Sequence, residues 1–415
     1  MNHRPANLAA AAMLPHVILR HDGEAVADAE RTLADALHSI RAHLGMEVAF
    51  ISEFVDGRRV FRQVDSQLDP VPIRVGGSDA LAESYCQRII DGRLPELIHD
   101  ATRLPVALEL AATLAIPVGA HLSVPIRFSD GALYGTLCCF STRPDHTLNE
   151  RDLGMMHVLA DFTGRQLEHD IRLHQEADFL RARIETVLAE GSYGIVYQPI
   201  VHVLENRIIG YEALTRFSAE PKRSPDLWFK EAGAVGLQAE LEMAVIEKAI
   251  EVLPDLPDGA YLSLNLSPAT LQRGQLEALL ESVGPSRIVL EITEHDAIDD
   301  YEQFAAVLAP LRQKGLALAV DDAGAGYASF RHILRLKPDI IKLDVSLTQN
   351  IDTDPGRRAL AVALIQFAAE TGSKIVAEGV ETEGELDMLR RLRVNKVQGY
   401  LLGRPMPFAQ LATRL

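Results

Sequence analysis

Two adjacent carboxylates, Asp321 and Asp322, follow an apolar run at residues 316–320 and precede glycines at positions 324 and 326. The pattern indicates a buried strand that delivers acids to the rim of a sheet. Neighbouring side chains in a strand point to opposite faces, so both acids can serve one site only if the strand has already broken into a loop. Gly324 and Gly326 would make that break easy. Taken alone, an aspartate before a glycine at a strand end is more often an ordinary turn.

Five further apolar runs end in the same way, which argues against an ordinary turn. They cover residues 261–268, 287–294, 339–347, 374–382 and 397–405. Their polar ends are Asn265, Glu291, Lys342 with Asp344, Glu378 with Glu381, and Gln398. Polar groups at the same end of successive strands predict one shared site. If its carboxylates hold divalent cations, the local field of the cations can attract an anionic substrate.

The elements that position these residues begin near residue 184, where apolar strands and amphipathic helices start to alternate. Such alternation over the rest of the chain predicts an α/β fold, a closed (β/α)₈ barrel whose site lies at the carboxyl ends of the strands. Upstream, a helix at 25–44, a hairpin at 48–65, a helix at 78–91 and a second hairpin at 120–141 predict an α+β domain. The helical pattern at 150–190 barely pauses, so we expect it to connect the two domains.

Bulk properties limit the partners. A chain of 415 residues favours two domains. With 58 acidic and 41 basic residues the net charge is -17, which argues against binding to nucleic acid or to an anionic membrane. Three cysteines are too few for a disulfide framework and fit a reducing compartment. Since no run approaches the roughly 18 apolar residues of a membrane span, and the Ala-rich start at 7–14 indicates a helix and not a signal peptide, we expect a cytoplasmic protein.

The first domain resembles a GAF domain through residues 85–90, 116–126, 134–140 and 150–162. The resemblance covers about residues 20–170 and implies a sensory pocket for an unknown signal. A structural dimerisation module is the alternative. Some GAF domains attach a linear tetrapyrrole through cysteine, but Cys138 and Cys139 occupy strand positions and Cys86 a helix, so all three are interpreted as small core residues.

The second domain closely resembles the EAL family of cyclic di-GMP phosphodiesterases. The motif that names the family stands at residues 212–214, and further matches lie at 198–200, 265–267, 291–294, 321–329, 341–344, 378–381 and 398–405. The resemblance covers about residues 184–415. The expected organisation is therefore a tail at 1–19, a GAF-like domain at 20–170, a helical linker at 171–183 and an EAL barrel at 184–415.

The resemblance implies hydrolysis of cyclic di-GMP to 5′-pGpG with two Mg²⁺ or Mn²⁺ ions per site. It implies metal ligation by Glu212, Asn265, Glu291, Asp321, Asp322 and Glu378. It implies catalytic roles for Lys342, Glu378 and Gln398, and substrate contacts at Gln198, Leu214, Arg216 and Asp344. Glu294 and Glu381 are implied as supports, the former for the loop at 322–327.

One departure from the family pattern keeps a second hypothesis open. Ala323 stands where the family usually has phenylalanine after the two aspartates. The missing ring could loosen the loop that presents Asp322, so a protein that binds the nucleotide with weak or no turnover is the alternative. The family commonly pairs beside this loop, so we expect a homodimer in which the GAF-like domain regulates the barrel.

Overall fold

The computed structural model describes residues 23–293, 298, 300–323 and 328–411. The Ala-rich start, Glu294 and most of the loop after Asp322 lie outside the described residues. The chain divides into two compact units, Met1–Glu176 and Ala177–Leu415. We describe each unit by itself.

The first unit is an antiparallel sheet covered by helices. Its strands are β1 Val48–Val55, β2 Arg58–Ser66, β3 Ser78–Ala80, β4 Leu97–Ile98, β5 Ala120–Arg127 and β6 Leu133–Ser141. Its helices are α1 Gly23–His43, α2 Tyr85–Ile90, α3 Pro105–Leu108, α4 Ala111–Ala115 and the first part of α5 Glu150–Glu190. The order of the strands is β3-β2-β1-β6-β5-β4. Both predicted hairpins are confirmed, as β1 with β2 and β5 with β6.

The predicted helix at 78–91 is confirmed at Tyr85–Ile90 and is wrong in its first part. Residues Ser78–Ala80 form β3, which pairs with β2, and only Tyr85–Ile90 is α-helical. The side chain of Ser84 accepts a hydrogen bond from the backbone N–H of Gln87 and so caps the shorter helix. Pairing at the sheet edge therefore outweighs the helical pattern in the first part of this segment.

Each face of the first sheet has its own apolar core because side chains alternate along the strands. Cys139 lies in the core that contains Leu37 of α1 and Met156 of α5. Its neighbour Cys138 lies in the opposite core, with Cys86 of α2. All three cysteines are fully buried, as the sequence predicts.

Helix α5 runs through 41 residues without a break, which confirms the predicted connecting helix. Met156 and Ala160 pack in the first unit, and Ile184 and Val187 pack in the second unit against Trp228. Among the residues that the structure describes, no helix has the length and apolarity needed to cross a membrane.

The second unit is a closed barrel of eight strands. The strands are β7 Tyr193–His202, β8 Arg207–Phe217, β9 Tyr261–Asn265, β10 Ile288–Thr293, β11 Ala317–Ala323, β12 Ile340–Leu343, β13 Lys374–Ala377 and β14 Lys396–Val397. The helices are α6 Pro225–Ala234, α7 Gln238–Ile250, α8 Pro268–Gln272, α9 Gln275–Val283, α10 Tyr301–Gln313, α11 Ala328–Leu336, α12 Val345–Thr348, α13 Pro355–Thr371, α14 Glu383–Arg391 and α15 Phe408–Leu411. The α/β barrel fold is confirmed.

One strand departs from the parallel pattern. β7 is antiparallel to both of its neighbours, β8 and β14, whereas the remaining pairs of adjacent strands are parallel. The reason is local, because β7 and β8 are joined by a short turn and not by a helix, and such a hairpin reverses the chain direction. The carboxyl ends of β8 to β14 consequently meet at one rim.

Candidate active site

A layer of charged side chains lies directly above an apolar layer inside the barrel. Four apolar residues, Val289, Ala319, Ile340 and Val376, belong to one buried cluster. Each stands two positions before a polar residue, namely Glu291, Asp321, Lys342 and Glu378 respectively. Side chains two positions apart share a face of a strand, so the apolar layer supports the charged one. Ile200 of the same cluster instead follows Gln198 by two, because β7 runs in the opposite direction.

Asp321 and Asp322 both lie within β11, so the prediction that the strand breaks before them is wrong. The strand continues to Ala323, which pairs with Leu343 across a register shift after Val320. Asp322 adopts a left-handed backbone conformation with φ of 56°. A bulge at Asp322, and not a loop, therefore turns the second acid away from simple alternation.

Lys342 is the centre of the charged layer, and its side chain is 1% exposed. Its Nζ lies 2.7 Å from Glu378 Oε1, 2.8 Å from Glu291 Oε2 and 2.9 Å from Asp321 Oδ2. Glu212 Oε1 is 3.6 Å away. One ammonium thus holds acids from four strands or strand ends in a fixed arrangement.

Two sets of carboxylates come close enough to bind a cation. Glu212, Glu291 and Asp321 each offer an oxygen, and these oxygens lie within 4.8 Å of one another. Asp321, Asp322 and Glu378 form a second set under the same limit. The sets share Asp321. Hard oxygen donors of this kind fit Mg²⁺ or Mn²⁺.

Burial and mutual repulsion perturb the titration of this layer. Burial has the largest effect on the pKa of Glu291 and raises it. Lys342 opposes this effect, Glu212 and Asp321 add to it, and the resulting pKa is about 8. Burial, again opposed by Lys342, also raises the pKa of Glu378 well above its usual value. Burial alone would lower the pKa of Lys342, but the surrounding carboxylates raise it well above the ordinary lysine value. A bound divalent cation would favour the ionised carboxylates.

Gln398 closes the layer from the end of β14. Its Nε2 donates to Gln198 Oε1 at 3.0 Å and to Glu212 Oε2 at 2.5 Å. Its Oε1 is buried and has no hydrogen-bond partner within the described part of the chain. A Cβ at the next residue, Gly399, would meet the carbonyl oxygen of Val380 at 2.1 Å, so only glycine allows the backbone to pass there.

Asn265 and one unpredicted residue complete the first carboxylate set. Asn265 Nδ2 donates to Glu212 Oε1 at 3.3 Å, which leaves the amide oxygen for a cation. Ser263 is fully buried, and its Oγ donates to Glu291 Oε1 at 2.5 Å. Ser263 was not predicted from the sequence, although its position two residues before Asn265 on β9 places it on the same face.

Other predicted residues lie outside this contact network. The exposed Arg216 donates through Nη1 to the carbonyl of its neighbour Thr215. Asp344 caps α12 by accepting from the backbone N–H of Ser346. Leu214 is half-buried on β8, and Glu381 is exposed after β13. Glu294, the predicted support for the loop at 322–327, lies outside the described residues.

Comparison with known proteins follows the same division of the chain. The EAL domain model matches residues 181–405, and the GAF domain model matches residues 28–167. The two matches do not overlap. Each falls largely within one of the two compact units.

Curated relatives and a solved structure each match about half of the chain. The chain is 33% identical over 228 residues to the bifunctional diguanylate cyclase/cyclic di-GMP phosphodiesterase MucR of Pseudomonas aeruginosa, covering 52% of this chain and 33% of that protein. It is 32% identical over 230 residues to the probable cyclic di-GMP phosphodiesterase PdeD of Escherichia coli, covering 53% and 43%. The chain therefore matches less than half the length of either relative. The structure of the PaMucR phosphodiesterase in complex with c-di-GMP is 31% identical with a TM-score of 0.50, covering 56% of this chain and 99% of that one.

Proposed function

The chain belongs to the EAL domain family and carries a GAF domain, and from this premise we propose that its barrel hydrolyses cyclic di-GMP to linear 5′-pGpG with two Mg²⁺ or Mn²⁺ ions. Relatives named as cyclic di-GMP phosphodiesterases and a neighbour in complex with c-di-GMP support the substrate. The residues at the rim support the chemistry.

The observation that carries the proposal is the pair of carboxylate sets that share Asp321. The sets and Lys342 together comprise five carboxylates and one ammonium, namely Glu212, Glu291, Asp321, Asp322, Glu378 and Lys342. When all are ionised, the acids exceed the ammonium by four charges, which two divalent cations would offset. Buried like charges at this density are costly unless cations compensate them.

Two cations, when bound, would neutralise charge on the phosphoryl group and favour ionisation of the attacking water. The chain's own residues divide the remaining work. Lys342 stays an ammonium because its pKa lies well above the usual value, so it donates hydrogen bonds and steadies a phosphoryl oxygen or the nucleophile. Burial raises the pKa of Glu378, and bound cations would favour its ionised form, which accepts the proton of the water. Gln398 Oε1 offers an acceptor that orients this water.

Hydrolysis at this site opens the ring of the dinucleotide. The water oxygen bonds to phosphorus, its proton passes to Glu378, and the bond from phosphorus to the 3′ oxygen breaks. The 3′ oxygen takes a proton from solvent water and leaves as a hydroxyl. Arg216 would leave the Thr215 carbonyl and clamp the other phosphate with its planar fork. Gln198, Leu214 and Asp344 would contact the nucleotide around it, and Glu381 would support the rim from outside.

The binding-only alternative has Ala323 as its single argument. In the structure Ala323 is fully buried, pairs with Leu343 and accepts a hydrogen bond from the N–H of Asp344 through its carbonyl oxygen. These contacts fix the residue after Asp322 without an aromatic ring. The complete set of acids therefore favours hydrolysis.

We extend the proposal to the organisation of the chain. A GAF domain at 20–170, a helical linker at 171–183 and a barrel at 184–415 would act as a homodimer in which the GAF domain sets the rate. The two family matches and the division after Glu176 support a transition within α5. Met155, Val158 and Phe162 are exposed apolar residues at helical spacing on α5, which suits contact with a second copy.

The proposal is tested by looking for the product. The purified full chain is incubated with cyclic di-GMP and Mg²⁺, and the products are separated by liquid chromatography. We expect 5′-pGpG, and far less of it from a matched Asp321→Asn protein. Nucleotide that binds but stays cyclic would support the binding-only alternative.

A further inference from the structure

The core of the GAF unit holds two thiols in contact. Cys86 Sγ of α2 lies 3.5 Å from Cys138 Sγ of β6, and both residues are fully buried. The residues are 52 positions apart in sequence, so the fold and not the chain brings them together. Cys139 faces the other core, where its Sγ lies 3.8 Å from Met156 Sδ.

The two thiols have different surroundings. Arg59 Nη1 donates to Cys86 Sγ at 3.1 Å, and Thr136 Oγ1 donates to the same sulfur at 3.0 Å. Cys138 Sγ instead lies 3.1 Å from Ser123 Oγ and donates to Thr136 Oγ1 at 3.2 Å, and both of these groups are neutral. Of the two thiols, Cys86 is therefore the one that accepts a hydrogen bond from a guanidinium, which favours its thiolate form.

We propose that Cys86 and Cys138 form a reversible dithiol–disulfide pair that hydroperoxides oxidise. The Cys86 thiolate attacks one peroxide oxygen; the S–O bond forms, the O–O bond breaks, and the other oxygen leaves as hydroxide or alkoxide. Cys138 then attacks the Cys86 sulfur; the S–S bond forms, the S–O bond breaks, and the departing hydroxide takes the Cys138 proton to become water. Two electrons pass from the two thiols to the peroxide.

The acid–base properties of the pair agree with these roles. Burial alone would raise the pKa of Cys86, but hydrogen bonds from Cys138, Thr136 and Arg59 and the charge of Arg59 lower it to about 5. Burial and the neighbouring Cys86 raise the pKa of Cys138 well above its usual value. Cys86 is thus the nucleophile, and Cys138 keeps its proton until it attacks.

The geometry allows both bond formation and access. A disulfide needs its sulfurs about 2 Å apart, so rotation of the two side chains must bring the pair closer by about 1.5 Å. Arg59 is 9% exposed and pairs with Asp79, which is 45% exposed. Because Arg59 contacts the sulfur of Cys86, a shift of this pair would open a route from solvent to that sulfur.

The test uses the full chain with Cys139→Ser, which leaves only Cys86 and Cys138 because the chain has three cysteines. The protein is treated with hydrogen peroxide, denatured, alkylated and measured by intact mass. We expect the loss of two hydrogens and no alkylation, with both alkylations restored by dithiothreitol. Non-reducing peptide mapping should then join the peptide of Cys86 to that of Cys138.

Matched variants decide between this pair and general oxidation. The Cys86→Ser/Cys139→Ser protein should keep an alkylatable Cys138, and Arg59→Gln should slow oxidation roughly tenfold, because the thiolate is the reactive form. Arg59→Lys keeps the charge and should fall between Arg59→Gln and the parent, which separates charge from packing. Two alkylated thiols after peroxide treatment, links only between chains, or an equal rate in denatured protein would each overturn the proposal.

Discussion

The two units bury polar clusters of opposite character. In the barrel, Lys342 is surrounded by several acids, and burial, with the neighbouring Glu212 and Asp321, raises the pKa of Glu291 to about 8. In the GAF unit, Arg59 pairs with Asp79, donates to Cys86 and lies over the rings of Phe50 and Phe61. The acids of the first cluster outnumber its one ammonium, whereas Arg59 of the second cluster is paired with an acid within the protein.

This difference separates function from stability. An excess of buried like charge costs stability, so it persists only where it serves a ligand. A cluster whose polar groups are paired contributes to the stability of its unit, so removal of one partner should lower that stability. Neutralising a charged residue should accordingly leave stability unchanged or higher in the barrel, whereas it should lower stability in the GAF unit.

The largest expected effect is loss of turnover on neutralising the shared acid. Asp321→Asn removes a ligand from both carboxylate sets, and the rate should fall on the order of 100- to 1,000-fold or more. Glu212→Ala should behave alike. The measurement is pGpG formation per barrel with Mg²⁺ at saturating nucleotide. A variant of either kind with a rate near that of the parent would contradict our placement of the cations.

Asp321→Asn also tests the expected effect of the excess charge on the stability of the barrel. Since Asp321→Asn relieves repulsion and removes nothing from the apolar layer, the melting temperature without added cations should be unchanged or higher. Parent protein should gain more from added Mg²⁺ than the variant does, because a ligand stabilises the state that binds it. A lower melting temperature without cations would mean that Asp321 serves the fold.

The sequence was sufficient for the barrel and for most of the charged layer. Regular alternation identifies strands and helices, and motif positions identify Glu212, Glu291 and Lys342. It was insufficient where the backbone conformation depends on pairing between strands. Asp322 reaches its place through a bulge that only the contact with β12 defines, and β3 forms because β2 is there to pair with it.

Contacts between distant residues were equally hidden from the sequence. Cys86 and Cys138 can be interpreted as two core residues in the sequence, and their approach to 3.5 Å depends on how α2 packs on the sheet. Ser263 belongs to none of the motifs, although its spacing to Asn265 was a usable signal. Spacing predicts which residues share a face, and packing decides which of them touch.

The choice of cation should have the next largest effect. The proposed ligands are carboxylate and amide oxygens, so Mg²⁺ and Mn²⁺ should support turnover. Ca²⁺ should bind and give almost none, because its longer bonds and looser geometry misplace the reacting groups. Rates are compared at equal site occupancy, established by competition between the ions. Equal rates with Ca²⁺ would remove the argument for two tightly placed cations.

Acid should destabilise the GAF unit through a single buried imidazole. Burial, with Arg59 nearby, lowers the pKa of His121 to about 3, whereas an unfolded histidine titrates near its ordinary value of 6.5. Between these values the unfolded state binds more protons, so stability is present above pH 6.5 and is lost as the pH falls. At pH 5 the loss should be about 2 kcal/mol.

His121→Phe provides the matched control for this prediction. The ring of His121 stacks on Tyr85 with centroids 4.6 Å apart, and its Nδ1 has no hydrogen-bond partner among the described residues. Phenylalanine should therefore keep the packing and remove the titration. Thermal unfolding of the GAF transition is measured at pH 7 and pH 5 in both proteins. An equal pH dependence in the two would assign the acid sensitivity to another group.

The smallest and most conditional effect concerns the coupling between the two clusters. Helix α5 belongs to both units, so a two-state shift in it is the simplest way for the GAF unit to change the rate at Asp321.

A truncated chain should begin at Ala177 and not at Arg183, because Ala177 and Leu180 pack in the second unit and Arg181 donates to the carbonyl of Val235. We expect this chain to be less dimeric than the full protein and to differ from it roughly fivefold in rate per barrel, a typical coupling of about 1 kcal/mol. Mass in solution and pGpG formation are measured on both proteins at several concentrations, before and after peroxide treatment of the full chain. If oligomeric state and rate are the same throughout, the GAF unit does not regulate the barrel.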